Sequence, residues 1–200
     1  MPEKQYGATR GKLLRAAARL FSESGFTRVT TREIAQASGI HVATIYSHFP
    51  SKSDILKCLY TFYSSELQKA LPDLCSLLQM AETSSPHDVL MKTECHFDAD
   101  IREFLDQILI TAAREVNSDP ESERFIREAV FAPTMEILKP LLQRLVELGK
   151  IKPLDIDTFL SVFTYYCFSA AALNYSSFGN NPKRYQTDLS FMFSMIAPVE

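Results

Sequence analysis

The densest group of side chains able to form hydrogen bonds and carry charge lies in the stretch TTREIAQASGIHVATIYSHFPSK, residues 30–52. Hydroxyl, imidazole and ammonium groups alternate there with short apolar segments, so they can stand on the outside of helices whose inner faces are buried. Such groups bind phosphates and the edges of bases. The chain has no P-loop, GxSxG, HExxH or dinucleotide glycine motif. The predicted chemistry is therefore recognition rather than catalysis.

Two short helices must position these groups. Thr30 and Glu33 fit a capping box, which predicts a helix over about 31–37. Gly39 then allows a tight turn, and a second short helix is predicted over 42–48. Three isoleucines are expected to tie both helices to the helix before them: Ile34, Ile40 and Ile45. Two short helices joined by such a turn form a helix-turn-helix.

A longer helix is predicted upstream, over about 9–23, because its apolar residues recur three and four positions apart. Gly25 is predicted to end it in the left-handed C-cap conformation. Residues 1–60 hold nine Lys and Arg against four acids, a net charge of +5, while the rest holds twelve against twenty, a net charge of −8. A basic head on an acidic body indicates that only the head meets a polyanion.

The head resembles the DNA-binding head of the TetR (tetracycline repressor) family of bacterial transcriptional regulators, over roughly residues 9–60. The shared pattern is a capping threonine, an Ile-Ala pair, a Gly-apolar turn, a Thr-apolar-Tyr segment, an aromatic-Pro step and a Ser-Lys pair. In this chain these are Thr30, Ile34-Ala35, Gly39-Ile40, Thr44-Ile45-Tyr46, Phe49-Pro50 and Ser51-Lys52. The resemblance implies an all-α fold of about nine helices. A DNA-binding domain is expected over 1–52, and a helical ligand-binding and dimerisation domain over 53–200.

The resemblance also implies that the head binds a double-stranded DNA operator. The expected contacts are the outward-facing residues of the two short helices and the residue that opens the next helix: Thr31, Arg32, His41, Val42, Ala43, Thr44, Tyr46, Ser47, His48 and Lys52. Lys52 is expected to neutralise a phosphate. His41 stands where the family often has serine, so it should cap the recognition helix less well. Val42 and Ala43 can touch thymine methyls but cannot read guanine by paired hydrogen bonds, so DNA shape should carry part of the specificity.

The rest of the chain reads as helices separated by breaks that contain proline or glycine. Helices are predicted over about 52–67, 74–80, 87–97, 100–117, 122–148, 155–178 and 182–197. Pro133 and Pro140 are expected to kink the fifth of these. The penultimate helix is apolar around most of its circumference and has to be buried on several sides. Together with the resemblance, this predicts a homodimer through the last two helices, with two recognition helices one turn of DNA apart.

Members of the family commonly bind a small molecule in the body. An apolar or aromatic effector is expected here, lined by seven residues of the interior: Phe104, Leu105, Ile108, Phe131, Met135, Phe163 and Tyr166. One alternative is that these residues are only core, and that the regulator answers to a protein partner or to nothing. A distant alternative is a helical enzyme. No cofactor is predicted.

The sequence indicates neither a metal site, nor a disulfide, nor a membrane span. Glu94, Cys95, His96, Asp98 and Asp100 crowd one segment, but they straddle a predicted helix boundary where Asp98 is a plausible N-cap, so no metal site is predicted. The four widely spaced cysteines favour free thiols in a reducing cytoplasm. No apolar run is long enough to span a membrane, and the polar N-terminus lacks the apolar core of a secretory signal. A cytoplasmic protein is expected.

Overall fold

The computed structural model describes residues 2–172 and 182–196, and every regular element within them is helical. This confirms the all-α prediction. The described elements are α1 Pro2–Tyr6, α2 Ala8–Ser24, α3 Thr31–Ser38, α4 Val42–His48, α5 Lys52–Ala70, α6 Leu74–Thr83, α7 Pro86–Met91, α8 Ala99–Glu115, α9 Pro120–Phe125, a π-helix Ile126–Phe131, α10 Ala132–Glu147, α11 Ile156–Ala172 and α12 Pro182–Met195.

The helices of the head begin and end close to their predicted positions. The short helix α1 is an addition that periodicity did not indicate. It packs on α2 at Gly11, where a Cβ atom would come within 2.5 Å of the Cα atom of Glu3. Gly25 ends α2 with φ 86° and ψ 145°. Its φ is positive as predicted, but its ψ is extended, so the left-handed C-cap prediction is wrong: the chain leaves α2 directly into a loop.

The body differs more from its predicted boundaries. The helix expected over 122–148 is divided into α9, the π-helix and α10. Pro133 lies in the first turn of α10, directly after the π-helix, so the irregular segment stands where proline removes a backbone N–H from the helical hydrogen-bond pattern. Pro140 lies inside α10, which nevertheless continues to Glu147.

The helix expected over 87–97 ends at Met91. The amides of Thr93 and Glu94 donate to the carbonyls three residues back, those of Leu90 and Met91. This is the hydrogen-bond pattern of a tighter 3₁₀ turn, so the α-helix does not continue. The expected ends of the last two helices at 178 and 197, and the break between these helices, lie outside the described residues.

The chain divides into two compact units. The first comprises the chain up to Leu67 together with Phe97–Ala129, and the second comprises Gln68–His96 and the chain from Val130 onward. The division expected at residue 52 concerns function rather than packing, and it stays a prediction.

The first unit packs α2 against α1, α3 and α8, and α3 against α4. Its fully buried side chains include the inward residues of α2 and two of the three isoleucines expected to anchor the short helices: Leu13, Leu14, Phe21, Ile34, Ile45, Ile55, Leu59, Phe62 and Ile108. Ile40, in the turn, is half-buried. The helix-turn-helix therefore rests on a core shared by α2, α5 and α8.

The second unit packs α10 against α6 and α11, and α7 against α12. Its core consists mainly of leucines, with Phe163 and Phe193 stacked at a centroid distance of 5.8 Å. The last two helices nevertheless expose large apolar side chains, with Val162 60%, Tyr165 65%, Phe191 64% and Met195 62% exposed.

Candidate nucleic-acid interface

The first short helix of the candidate interface starts with the predicted capping box. The amide of Glu33 donates to Thr30 Oγ1 at 3.3 Å, and the amide of Thr30 donates to Glu33 Oε2 at 2.7 Å. Thr30 Oγ1 also donates to the same carboxylate oxygen at 2.8 Å. These bonds from Thr30, the backbone bond first, lower the pKa of Glu33. The start of α3 is thus fixed by its own sequence.

The turn between the two short helices uses the glycine as predicted. Gly39 has φ 68° and ψ 27°, the left-handed conformation that glycine adopts without strain. The amide of Ile40 donates to the Ala35 carbonyl at 3.0 Å, which closes the end of α3. His41 occupies the N-cap position of α4, and its exposed side chain makes no capping hydrogen bond. The expectation that His41 caps poorly is confirmed.

Nine of the ten predicted contact residues lie on α3, at the turn or on α4, and none of the nine is buried. Two of them meet: Thr31 Oγ1 and the Tyr46 hydroxyl are 3.2 Å apart, which joins the start of α3 to the middle of α4. Tyr46 is 52% exposed although it is a large aromatic residue. Ser47 donates its hydroxyl to the Thr44 carbonyl at 2.8 Å. The surface combines hydroxyl groups, two imidazoles, one guanidinium and the small apolar groups of Val42 and Ala43.

Lys52, the tenth predicted contact, points its ammonium inward. Its Nζ atom donates to the carbonyls of Phe26 at 2.6 Å, Val29 at 2.8 Å and Thr27 at 3.3 Å. The same atom lies 4.4 Å from the centroid of the Phe26 ring. Burial lowers the pKa of Lys52, while the negative charges of Glu115 and Glu33 act in the opposite direction. The predicted phosphate contact is untested. The hydrogen bonds seen here instead attach the Lys52 side chain to the loop between α2 and α3.

Residues outside the quoted motif also hold the interface in place. Phe49 is 1% exposed, and the guanidinium of Arg10 lies 4.7 Å from the centroid of its ring. The carboxylate of Glu115, in α8, accepts the amide of Phe26 at 3.0 Å. Sequence reasoning missed Arg10 and Glu115 as supports, because their partners are 39 or more positions away and no short motif records such contacts.

The seven residues predicted to line an effector site fall into both compact units. Phe104, Leu105 and Ile108 lie on α8 in the first unit and are buried, with Phe104 packed edge-to-face against Phe62. The other four lie in the second unit: Phe131, Met135, Phe163 and Tyr166. The last three lie in or against its core, and Phe131 packs edge-to-face against Phe168. The Tyr166 hydroxyl donates to Asp188 Oδ2 at 2.9 Å.

A groove of about 340 Å³ opens in the first unit between α2, the end of α3 and the start of α8. Phe104 is the only one of the seven expected residues that lines it. Its other lining is mainly polar and charged: Lys12, Arg15, Arg19, Ser38, Asp100, Glu103 and Gln107. This groove suits a polar or charged group better than the apolar molecule that the sequence predicts.

Other chemistry is sparse in the part of the chain that the structure describes. No three His, Cys, Asp or Glu side chains converge there as metal ligands, and Asp98 takes the N-cap position of α8 without a side-chain capping bond. All four cysteines are free thiols, and burial raises the pKa of the Cys95 thiol to about 11. No helix among the described residues combines the length and hydrophobicity needed to cross a membrane.

A helix-turn-helix with an exposed polar surface, carried by an all-helical chain, defines a class of DNA-binding proteins. Residues 13–59 match the model of a known family within this class, described as bacterial regulatory proteins, tetR family. The chain is 40% identical to the HTH-type transcriptional repressor KstR2 of Mycobacterium tuberculosis over 52 residues, and this aligned segment covers 26% of each chain. The match to this curated relative thus spans about a quarter of its length.

Two solved structures share the fold over nearly the whole chain. The TetR family transcriptional regulator PfmR from Thermus thermophilus has a TM-score of 0.61 at 22% identity, covering 92% of this chain and 96% of that one. A bacterial regulatory protein in the tetR family from Rhodococcus has a TM-score of 0.66 at 17% identity, covering 96% and 98%. The resemblance to the TetR family is therefore confirmed, and the relatives named here are regulators rather than enzymes.

Proposed function

We propose that this protein is a transcriptional regulator that binds a palindromic DNA operator through α3 and α4. The observation that carries the proposal is the capped helix-turn-helix, whose inner residues Ile34 and Ile45 are fully buried while its outer residues remain accessible. Nine residues form the proposed contact surface: Thr31, Arg32, His41, Val42, Ala43, Thr44, Tyr46, Ser47 and His48. In this proposal Arg32 and the hydroxyl groups contact phosphates, and Val42 and Ala43 contact thymine methyl groups.

The proposed active form is a homodimer through the last two helices. Val162 and Tyr165 lie one helical turn apart on α11, and Phe191 and Met195 lie one turn apart on α12, all more than half exposed. Large apolar side chains grouped on a helix face are expected to be covered by a partner, and a second copy offers the same face. A two-fold dimer presents two recognition helices to successive major grooves.

The proposed mode of action is repression relieved by a small effector. The relative KstR2 is named a transcriptional repressor, and a bound repressor must be released by some signal. The proposed effector is a small apolar or aromatic molecule. The alternative is a regulator that answers to a protein partner or to none, and the burial of Phe104, Leu105, Ile108 and Phe163 favours it, since these side chains already fill the cores of their units.

Selection of random-sequence duplexes by the purified protein tests the DNA-binding proposal. The expected result is one enriched palindrome, bound with an affinity that falls as salt rises because phosphate binding releases counterions. Absence of any enriched sequence would contradict the proposal. Release of the selected operator by one of a panel of apolar and aromatic compounds would support an effector, and failure of all of them would favour the alternative.

A further inference from the structure

The loop between α2 and α3, residues 25–30, is bonded by two charged side chains that come from other helices. From α5, the Lys52 ammonium donates to the carbonyls of Phe26, Thr27 and Val29. From α8, the Glu115 carboxylate accepts the Phe26 amide through Oε1 at 3.0 Å and the Thr27 hydroxyl through Oε2 at 3.5 Å. Carbonyls thus face the cation, while an amide and a hydroxyl face the anion.

The hydrogen-bonding capacity of Lys52 is used by the loop. An ammonium has three N–H donors and no acceptor, and Nζ has three carbonyl partners within 3.3 Å as well as the Phe26 ring beside it. A phosphate contact would require at least one of these bonds to break. The geometry therefore favours a role in shaping the head over a role in neutralising DNA.

Glu115 is buried as a charged group, which is costly unless it is well bonded. It is 8% exposed, and Ser118 adds a further hydrogen bond to Oε2 at 3.1 Å. Next to it, the Arg114 guanidinium donates to the Glu23 carbonyl, near the end of α2, at 3.1 Å. The end of α8 is thereby bound to the backbone that leads from α2 to α3.

We propose that Lys52 and Glu115 are positioning residues for DNA binding, which together clamp residues 26–29 and so fix the direction in which α3 leaves the loop. Val29, the last residue that Lys52 holds, immediately precedes the N-cap Thr30, so a shift of the loop moves the start of α3. Thr31 then carries the shift to Tyr46 on α4. The inference rests on the proposed DNA-binding function, and it makes operator affinity depend on a carboxylate that lies 67 positions after the end of α4.

The test compares two clamp variants, Lys52→Met and Glu115→Gln, with two controls. Lys57→Met removes an exposed ammonium from the same helix, and Arg32→Met removes an exposed guanidinium from the proposed contact surface. Two quantities are measured in the full-length protein: amide hydrogen exchange of residues 26–30 without DNA, and operator affinity over a range of salt concentrations.

For both clamp variants we expect faster exchange of the amides of residues 26–29. We also expect an affinity reduced about tenfold, the loss typical of removing a hydrogen bond to a charged group. The slope of affinity against salt should stay that of the wild type, because no phosphate contact is lost. Arg32→Met should instead lower the slope by about one for each protomer. Lys57→Met should change neither the amide exchange of the loop nor the operator affinity. The two clamp changes together should weaken binding less than the product of the single effects, since both side chains hold the same loop.

Two outcomes would overturn the inference. If Lys52→Met lowers the salt slope as Arg32→Met does and leaves loop exchange unchanged, Lys52 contacts a phosphate. If Glu115→Gln, which keeps the side-chain shape, alters neither exchange nor affinity, the loop does not depend on the buried charge. A wild-type protein that selects no operator would refute the proposed function separately, because the exchange measurement needs no DNA.

Discussion

The contact between Thr31 and Tyr46 leads to the sharpest prediction about the interface. The two hydroxyl oxygens are 3.2 Å apart and neither residue is buried, so one phosphate oxygen can accept hydrogen bonds from both. In the free protein they bond to each other. On DNA, each is expected to exchange this neutral bond for one to an anion.

The size of the effect follows from the two kinds of hydrogen bond. A neutral bond contributes about 0.5–1.5 kcal/mol, and a bond to a charged group about 1.5–3 kcal/mol. Tyr46→Phe and Thr31→Val each keep the shape of the side chain and remove its hydroxyl. We therefore expect each variant to lose at most about 1.5 kcal/mol of unfolding free energy. Operator binding should weaken by the difference between the two kinds of bond, about 1–1.5 kcal/mol, or roughly tenfold for each protomer.

The assay is titration of the selected operator with each variant, together with chemical denaturation of the free protein. Thr61→Val serves as the control, because Thr61 is an exposed threonine of α5 outside the proposed contact surface, and its hydroxyl donates to the Lys57 carbonyl at 2.9 Å. If Tyr46→Phe binds the operator as tightly as the wild type, the hydroxyl pair does not meet the DNA and the proposed contact surface must be redrawn.

Three further predictions concern pH, assembly and helix capping. Burial raises the pKa of Asp106 to about 6 from 3.8, so its stabilising contribution is complete below about pH 4 and is lost as pH rises through about 6. In urea denaturation, Asp106→Asn should raise the unfolding free energy at about pH 8 by up to about 3 kcal/mol and have little effect at about pH 4. Equal effects at both pH values would contradict this reasoning. Val162→Glu combined with Tyr165→Glu should convert the proposed dimer into a monomer by light scattering, and an unchanged mass would move the interface elsewhere. Thr30→Ala should cost about 1 kcal/mol of unfolding free energy through loss of the N-cap, and a variant as stable as the wild type in denaturant would show that the capping box contributes little.

The fold of the head could be read from the sequence because its signals are local. The capping box, the left-handed glycine of the turn and the inward isoleucines of the two short helices each depend on residues a few positions apart, and the structure has all three. Local signals were less informative in the body. Pro133 was expected to kink the helix predicted over 122–148, and the structure has a π-helix directly before it that no periodicity in the sequence indicates.

The supports of the candidate site were beyond sequence reasoning for a different reason. Lys52 occupies a position where the resemblance implies a phosphate contact, and only the folded structure brings the carbonyls of Phe26, Thr27 and Val29 to its ammonium. Glu115 looks like one more acid at the end of a helix until α8 packs against α2. Long-range partners of this kind leave no spacing pattern in a single chain.

Internal contacts of the basic side chains reduce the number of positive charges in the head that are available to DNA. The nine cations of residues 1–60 predict strong attraction to a polyanion, but three of them are engaged within the head: Arg10 lies over the rings of Tyr6 and Phe49, Arg15 pairs with Glu3, and Lys52 is bonded to the loop. These charges contribute to the long-range field that draws the head to DNA, yet they cannot each release a counterion at a phosphate without breaking an internal contact. Affinity should then depend more on the hydroxyl groups of α3 and α4, and on the fit of that surface to the groove, than the formal charge suggests.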